Sequence, residues 1–372
     1  MELIKFSKLS IEKKDLDIVK KIIAGGWLTH GKYTSLFEEQ IKKFTKAKYA
    51  ITISSCTTAL HVSCLAAGFK KGDEIIVPAQ THTATAHAVE YTGAKAVLAD
   101  VENLTGNINI EQIKKKITKK TKGIIIVHMA GYPCNINKVL KICKKNKIKL
   151  IEDCAHALGT MYKKKHVGTF GVSGCFSFYP TKQITTGEGG ALITNDKKIF
   201  QRVKRLKAFG IDKDINQRKK PGEYDVKELG FNYRMTDFQA ALGYFQLKRY
   251  PVNLKKRREL AKRYINNFRH NQNIQHMPFS KNCSFFIFQI FIKKRDKLIK
   301  FLKKKKIQFS IHYAKSLDQM SYYKKKYNLK NKNYKKANEY GRSCISLPVY
   351  PQLKNKEVDY ISETINKFYH KT

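Results

Sequence analysis

Acidic residues are scarce in this sequence: 29 Asp and Glu stand against 74 Lys and Arg in 372 residues, a formal net charge of +45. A field of that sign favours anionic partners. The lysines are dispersed, however, in runs such as Lys114-Lys115-Lys116, Lys163-Lys164-Lys165 and Lys303-Lys304-Lys305-Lys306. Dispersal marks solvated faces rather than one binding stripe, so nucleic acid is not the expected partner and a nucleotide-sized anion is the simpler one. Paired cysteine motifs are missing too. The eight cysteines (Cys56, Cys64, Cys134, Cys143, Cys154, Cys175, Cys283, Cys344) contain no C-x-x-C spacing, and several lie in apolar segments. They read as buried free thiols in a reducing compartment, with no metal site expected. No apolar run approaches the length of a membrane span, and the N-terminal MELIKFSKLSIEKKDLD carries charges where a secretory signal needs an apolar core. The expectation is a soluble, cytoplasmic protein. Repeats are absent, and the only compositional bias is lysine.

What is present is an alternation. Short β-branched runs read as strands: YAITIS (49–54), EIIVP (74–78), AKAVLAD (94–100), GIIIVHM (123–129), IKLIED (148–153), GCFSFY (174–179) and GALITN (190–195). Between most of them lie segments of helical period, such as TALHVSCLAAG, THTATAHAVEYTG and NINKVLKICKKNK. Alternation of this kind predicts an α/β fold with a mostly parallel seven-stranded sheet flanked by helices, which binds ligands at the carboxyl ends of its strands. Beyond about residue 240 the pattern changes to a long helix, AALGYFQLKRYPVNLKKRRELAKRYINNF, then an alternating strand, CSFFIFQIFIKK, then a helix, KLIKFLKKKK. The predicted organisation is a large domain over residues 1–245 and a smaller α+β domain over 246–372, with residues 1–14 packing on the small domain and the helix near Tyr250-Pro251 as hinge.

Four segments follow or end predicted strands. In SSCTTALHVSCLAAG, small residues lead into a helix starting near Thr57, and free N–H groups with the helix dipole favour an anion there. Ordinary capping by Ser55 or Thr57 would look the same. In LIEDCAHALG, Asp153 ends an apolar strand, where a carboxylate is costly unless it meets a cation. Alternatively, Asp153 caps a helix and His156 is a core histidine. In CFSFYPTKQITTGEGGALITN, Lys182 leaves a strand with Ser177 five residues before it, and Gly187, Gly189 and Gly190 let the backbone approach a bulky ligand. A partly desolvated lysine has a lowered pKa and can form an imine. In ELGFNYRMTDFQAALG, Asn232, Tyr233 and Arg234 precede a helix that Thr236 or Asp237 could cap, and Arg234 could bind an anion.

Read in order, these segments resemble the DegT-type nucleotide-sugar aminotransferases that use pyridoxal 5′-phosphate, within the fold type I, aspartate-aminotransferase-like architecture. GGWLTHGKYTSLFEEQ, GDEIIVPAQTHTATAHAVEYTGAKAVLADV and LPVYPQL extend the likeness over almost the whole chain. The resemblance implies that Lys182 carries the cofactor and moves protons, that Asp153 pairs with the pyridine nitrogen, and that His156 lies near the phenolic oxygen. It places Cys56, Thr57 and Ser177 on the phosphate, together with Asn232 from a second subunit, so the expected assembly is a homodimer. Ala155 would pack on one ring face and His82 on the other, where many relatives carry a larger aromatic residue. Thr29, Arg234, His312 and Tyr313 would lie near the sugar nucleotide. The turn TTGEGG resembles members that aminate C4 of a 4-keto-6-deoxy sugar, as in perosamine synthesis, with glutamate as amino donor. Two competing readings are a sugar dehydratase of the same fold, whose members have His at the position of Lys182, and a regulatory or binding protein retaining the fold.

Overall fold

All seven β-branched runs fold into one sheet. The computed structural model describes residues 2–213, 220, 222–329 and 334–370. Its strands are β1 (Tyr49–Ile53), β2 (Glu74–Pro78), β3 (Lys95–Ala99), β4 (Thr121–Val127), β5 (Lys149–Asp153), the short pair β6 (Met161–Tyr162) and β7 (Lys165–His166), β8 (Ser173–Ser177), β9 (Gly190–Thr194), β10 (Gln275–His276), β11 (Phe288–Phe291) and β12 (Cys344–Leu347). The large sheet has the order β1-β9-β8-β5-β4-β2-β3. Its β3, β2, β4, β5 and β8 run parallel, while β9 is antiparallel to both β8 and β1. Strands buried on both faces read as continuous apolar runs, and Ile124, Ile125 and Ile126 are fully buried. Helices Cys56–Ala66, Thr83–Glu90 and Ile136–Asn146 occupy the segments predicted for them.

The second sheet, β10-β11-β12, is antiparallel and sits under a separate apolar core. One helix, Asp237–Phe268, serves both cores and passes through Pro251 unbroken. Its Tyr250 and Leu254 pack with the large-sheet core, and its Leu260, Tyr264 and Phe268 with the small-sheet core. At the N-terminus, Ile4 belongs to the small-sheet core and donates its N–H to Lys306 O at 2.9 Å.

The strand read over CSFFIFQIFIKK is shorter than the sequence suggests. Only Phe288–Phe291 pairs as β11. Phe285 takes a positive φ of 44°, and the N–H groups of Ser284 and Phe286 bond to Gly131 O (3.2 Å) and Ala130 O (3.1 Å) instead of to a sheet. The apolar run thus changes partner midway, and its first half is stitched to the loop after β4.

Candidate active site

The carboxyl ends of β1, β2, β5 and β8 converge on a cavity of about 480 Å³. Its lining includes Cys56, Thr57, His82, Asp153, Ala155, His156, Ser177, Lys182, His312 and Tyr313. Cys56, Asp153, Ser177 and Lys182 meet because the strands deliver their C-termini to one edge, which is where open α/β sheets bind ligands, and His312 and Tyr313 join them from a loop outside that sheet.

The helix Cys56–Ala66 opens onto this edge. Ser55 caps it: its hydroxyl accepts the Thr58 N–H at 3.1 Å, and Thr58 Oγ1 accepts the Ser55 N–H at 3.1 Å. The capping box consumes the N–H of Thr58 rather than those of Cys56 and Thr57, which line the cavity. Capping by Ser55 is therefore compatible with an anion meeting those two N–H groups. β9 approaches closely here, since a Cβ on Gly190 would lie 2.5 Å from the Ser55 carbonyl carbon and 2.6 Å from the Cys56 nitrogen. Only glycine allows that contact.

Asp153 ends β5 and is buried. No helix follows it; Oδ1 accepts the Ala155 N–H at 3.0 Å and Oδ2 accepts the Thr85 hydroxyl at 2.8 Å. Burial pushes its carboxyl above the ordinary range, opposed by those two hydrogen bonds and by Lys182. A carboxylate so placed favours a cation opposite it. Its neighbour Glu152 is fully buried and accepts N–H groups from Gly168 (2.7 Å), Phe170 (2.8 Å) and Gly171 (2.9 Å), and a contact from His128 Nε2 (3.1 Å). His128 Nδ1 accepts the Cys134 N–H, so the Nε2 proton goes to Glu152. Glu152 is thereby the clamp that folds the 168–171 turn over the end of β5. Its oxygens lie within 4.8 Å of ligand atoms of His128 and Cys154, but they are already committed to donors.

Lys182 leaves β8 through a turn in which its own N–H bonds to Tyr179 O at 2.9 Å. Desolvation pushes its amine down to about 8, against the opposing pull of Cys56 and Asp153. Three histidines share the cavity. His82 caps the helix Thr83–Glu90 through Nδ1, which accepts the Ala84 N–H at 3.2 Å. His156 Nδ1 accepts the Ala130 N–H at 3.4 Å, and its Nε2 meets the Tyr313 hydroxyl at 3.2 Å. Burial holds His156 well below the usual imidazole range and His312 at about 3, with Lys182 adding to both, so both are neutral near pH 7. The loop carrying His312 and Tyr313 is tied to both cores: Gln80 Nε2 donates to Tyr313 O (2.8 Å) and Gln289 Nε2 to His312 O (3.0 Å).

Three sequence-predicted residues lie elsewhere. Asn232 is exposed and bridges to Ala208, and Thr29 is exposed. Arg234 lines a separate cavity of about 190 Å³ with His30, Thr34, Lys204 and Lys207, its guanidinium 5.0 Å from the Phe209 ring centroid. Sequence reasoning missed Phe286, whose ring centroid is 4.4 Å from Lys182 Nζ. A ring facing the site and a ring facing the core look alike in an apolar run.

Architecture of this kind, with a lysine and a buried carboxylate sharing one cavity at the carboxyl edge, is that of the fold type I enzymes that use pyridoxal phosphate. The chain belongs to the DegT/DnrJ/EryC1/StrS aminotransferase family, whose model matches residues 9–366. It is 35% identical to GDP-perosamine synthase of Escherichia coli O157:H7, covering 97% of each chain. The structure of Helicobacter pylori PseC, an aminotransferase involved in the biosynthesis of pseudoaminic acid, superposes with a TM-score of 0.92 at 32% identity over 100% of both chains. The sugar aminotransferase Spr1654 of Streptococcus pneumoniae, described as putative and solved in a pyridoxamine phosphate form, gives 0.93 at 28% over 99% of both. The protein is thus an aminotransferase whose cofactor is pyridoxal phosphate. The residues fit that group: a buried carboxylate pushed above its ordinary range, a helix N-terminus for a phosphate and a lysine of lowered pKa open into the same cavity.

Proposed function

We propose that the protein transfers an amino group from glutamate to a nucleotide-linked keto sugar, a 4-keto-6-deoxyhexose, making an amino sugar for glycan synthesis. The observation that carries this reading is the meeting of Lys182 and Asp153 in one cavity, in a chain 35% identical to GDP-perosamine synthase over nearly its full length. Pyridoxal phosphate, when bound, supplies the electron sink that lets the amino group leave one carbon and join another.

The chain's own groups divide the remaining work. Lys182 Nζ holds the cofactor covalently and, once released, moves a proton as general acid and base. Asp153 meets the pyridine nitrogen and keeps it protonated. Cys56 and Thr57 N–H groups and the Ser177 hydroxyl bind the phosphate. With the cofactor bound, Ala155 and His82 would flank its ring and His156 would donate its Nε2–H to the phenolic oxygen. His312 and Tyr313 contact the substrate from the cofactor cavity, and Thr29 and Arg234, which lie outside that cavity, are assigned to the substrate by the family resemblance, with Lys204 and Lys207 beside Arg234 favouring its phosphates.

Asn232 enters the site of a second copy. Its exposure and its absence from the lining of its own chain's cavity support this, as do the exposed Phe209 (44%) and Leu229 (85%) close to it in the fold and in sequence. Apolar patches of this kind mark association surfaces. The reading is tested by supplying pyridoxal phosphate to purified protein: a visible absorption band and a borohydride-fixed adduct on Lys182 are expected, both lost in Lys182→Ala. Absence of both in the parent protein overturns it.

A further inference from the structure

Phe286 has no part in the roles above, yet its ring lies against the Lys182 amine. The separation from Nζ to the ring centroid, 4.4 Å, is well inside cation–π range. The ring is also fixed in place. Phe286 N–H bonds to Ala130 O at 3.1 Å, and Arg257 Nη1 donates to Phe286 O at 3.3 Å. His156 packs near-parallel to the same ring, 4.5 Å between centroids and 26° between planes, so Phe286 touches Lys182 and His156 together. Next to it, Ser284 Oγ donates to His156 O (3.2 Å), and Gln183 Nε2, one residue after Lys182, donates to the same oxygen at 2.7 Å.

The charged and titratable groups facing the amine explain why a ring is needed. Asp153 on β5, Cys56 at the helix start, His82, His156 and His312 all act on it or are acted on by it. Glu188 also lines the cavity and is exposed. Burial holds His156 and His312 neutral, the exposed His82 is shifted in the same direction, and Cys56 stays a thiol because it is buried. Asp153 is the one buried carboxylate in the lining, and in the proposed function it is occupied by the cofactor's ring nitrogen. When Lys182 is not bonded to the cofactor, its half-buried ammonium would need a partner that is not a carboxylate.

We infer that Phe286 is a positioning residue for Lys182: its ring face holds the lysine ammonium by a cation–π contact whenever that amine is not bonded to the cofactor. This rests on Lys182 being the cofactor-bearing lysine. The contact keeps the released side chain extended over the site rather than folded toward Cys56, and it opposes the loss of the proton that desolvation promotes.

The test replaces Phe286 in the full-length protein with phenylalanines bearing one, two and three fluorines. Fluorination drains negative charge from the ring face at nearly constant shape. In protein freed of cofactor, the pH midpoint of Lys182 acylation, read by peptide mass spectrometry, reports the amine pKa. The midpoint is expected to step down with each fluorine, by roughly one pH unit in all, because a desolvated cation–π contact and one unit of pKa are of similar size. A midpoint that stays constant through the series, or rises, overturns the inference. Adding pyridoxal phosphate to each variant separates the two readings. A visible band in all variants with unmoved midpoints removes the role of Phe286 and leaves the proposed function standing. No band in the parent removes Lys182 as cofactor lysine and with it the positioning role of Phe286, even where the midpoints show a cation–π contact.

Discussion

At the scale of single residues, burial sets the charges that the chemistry uses. Desolvation sets Lys182 at about 8, so the unprotonated, nucleophilic fraction of its amine rises with pH up to that value. The rate of cofactor capture by cofactor-free protein is therefore expected to climb about tenfold per unit below pH 8 and to level off above it. Rapid mixing at a series of pH values reads this directly. Asp153→Asn retains the shape but not the charge. Turnover should fall by roughly two to three orders of magnitude, the size of losing one charge-stabilising partner, and the visible band of the loaded protein should change its pH response. A turnover within a few-fold of the parent would show that the buried carboxylate does not face the cofactor. Phe286 was not legible at this scale. Its neighbours in CSFFIF are core residues, and nothing in the one-dimensional pattern distinguishes a ring against a lysine from a ring against a leucine. Lys182, one lysine among many, is singled out only by its surroundings, Ser177 before it and the glycine-rich turn after it, while Asp153 draws notice because it ends an apolar strand, where capping a helix is the alternative.

At the scale of elements, the seven strands were readable because each is a short β-branched run bounded by turn residues. Their order was not, since periodicity records which face is buried and not which strand lies alongside. β9 pairs antiparallel between β1 and β8, and this placement brings Gly190 against Ser55. The Gly in that position is thus explained by a contact between elements 135 residues apart, invisible until the sheet is assembled. Gly190→Ala should push β9 from the helix N-terminus and weaken cofactor binding at least tenfold, measured by titrating the visible band. The Glu152 clamp is likewise a property of elements. Glu152→Gln turns an acceptor into a donor facing N–H groups of the 168–171 turn, at a cost of roughly 1–3 kcal/mol for each buried donor left unmet. Chemical denaturation should show the lowered midpoint.

For the whole molecule, acid sensitivity follows from histidines folded into apolar surroundings. Burial lowers His166 from 6.5 to about 4, and Gly159 N–H bonds to its Nε2. Between those two pH values the unfolded chain binds the proton and the folded chain does not, so stability is full above about 6.5 and declines as pH falls toward 4. Thermal unfolding midpoints should drop across that window, and His166→Gln should flatten the slope. Two cores joined by the helix Asp237–Phe268 place the His312 and Tyr313 loop over the large-sheet cavity. If Asn232 completes the neighbouring copy's site, mixing Lys182→Ala with Asn232→Ala chains restores one working site per mixed dimer. Each variant alone stays at its own low level.

The most direct measurement follows the amino nitrogen itself. The protein is given pyridoxal phosphate, ¹⁵N-labelled glutamate and a 4-keto-6-deoxy sugar nucleotide, and the products are read by NMR. The account predicts ¹⁵N bonded to the former keto carbon, with 2-oxoglutarate formed in equal amount and both lost in Lys182→Ala. Label remaining in glutamate while the sugar loses an oxygen, or remains unchanged, would contradict it.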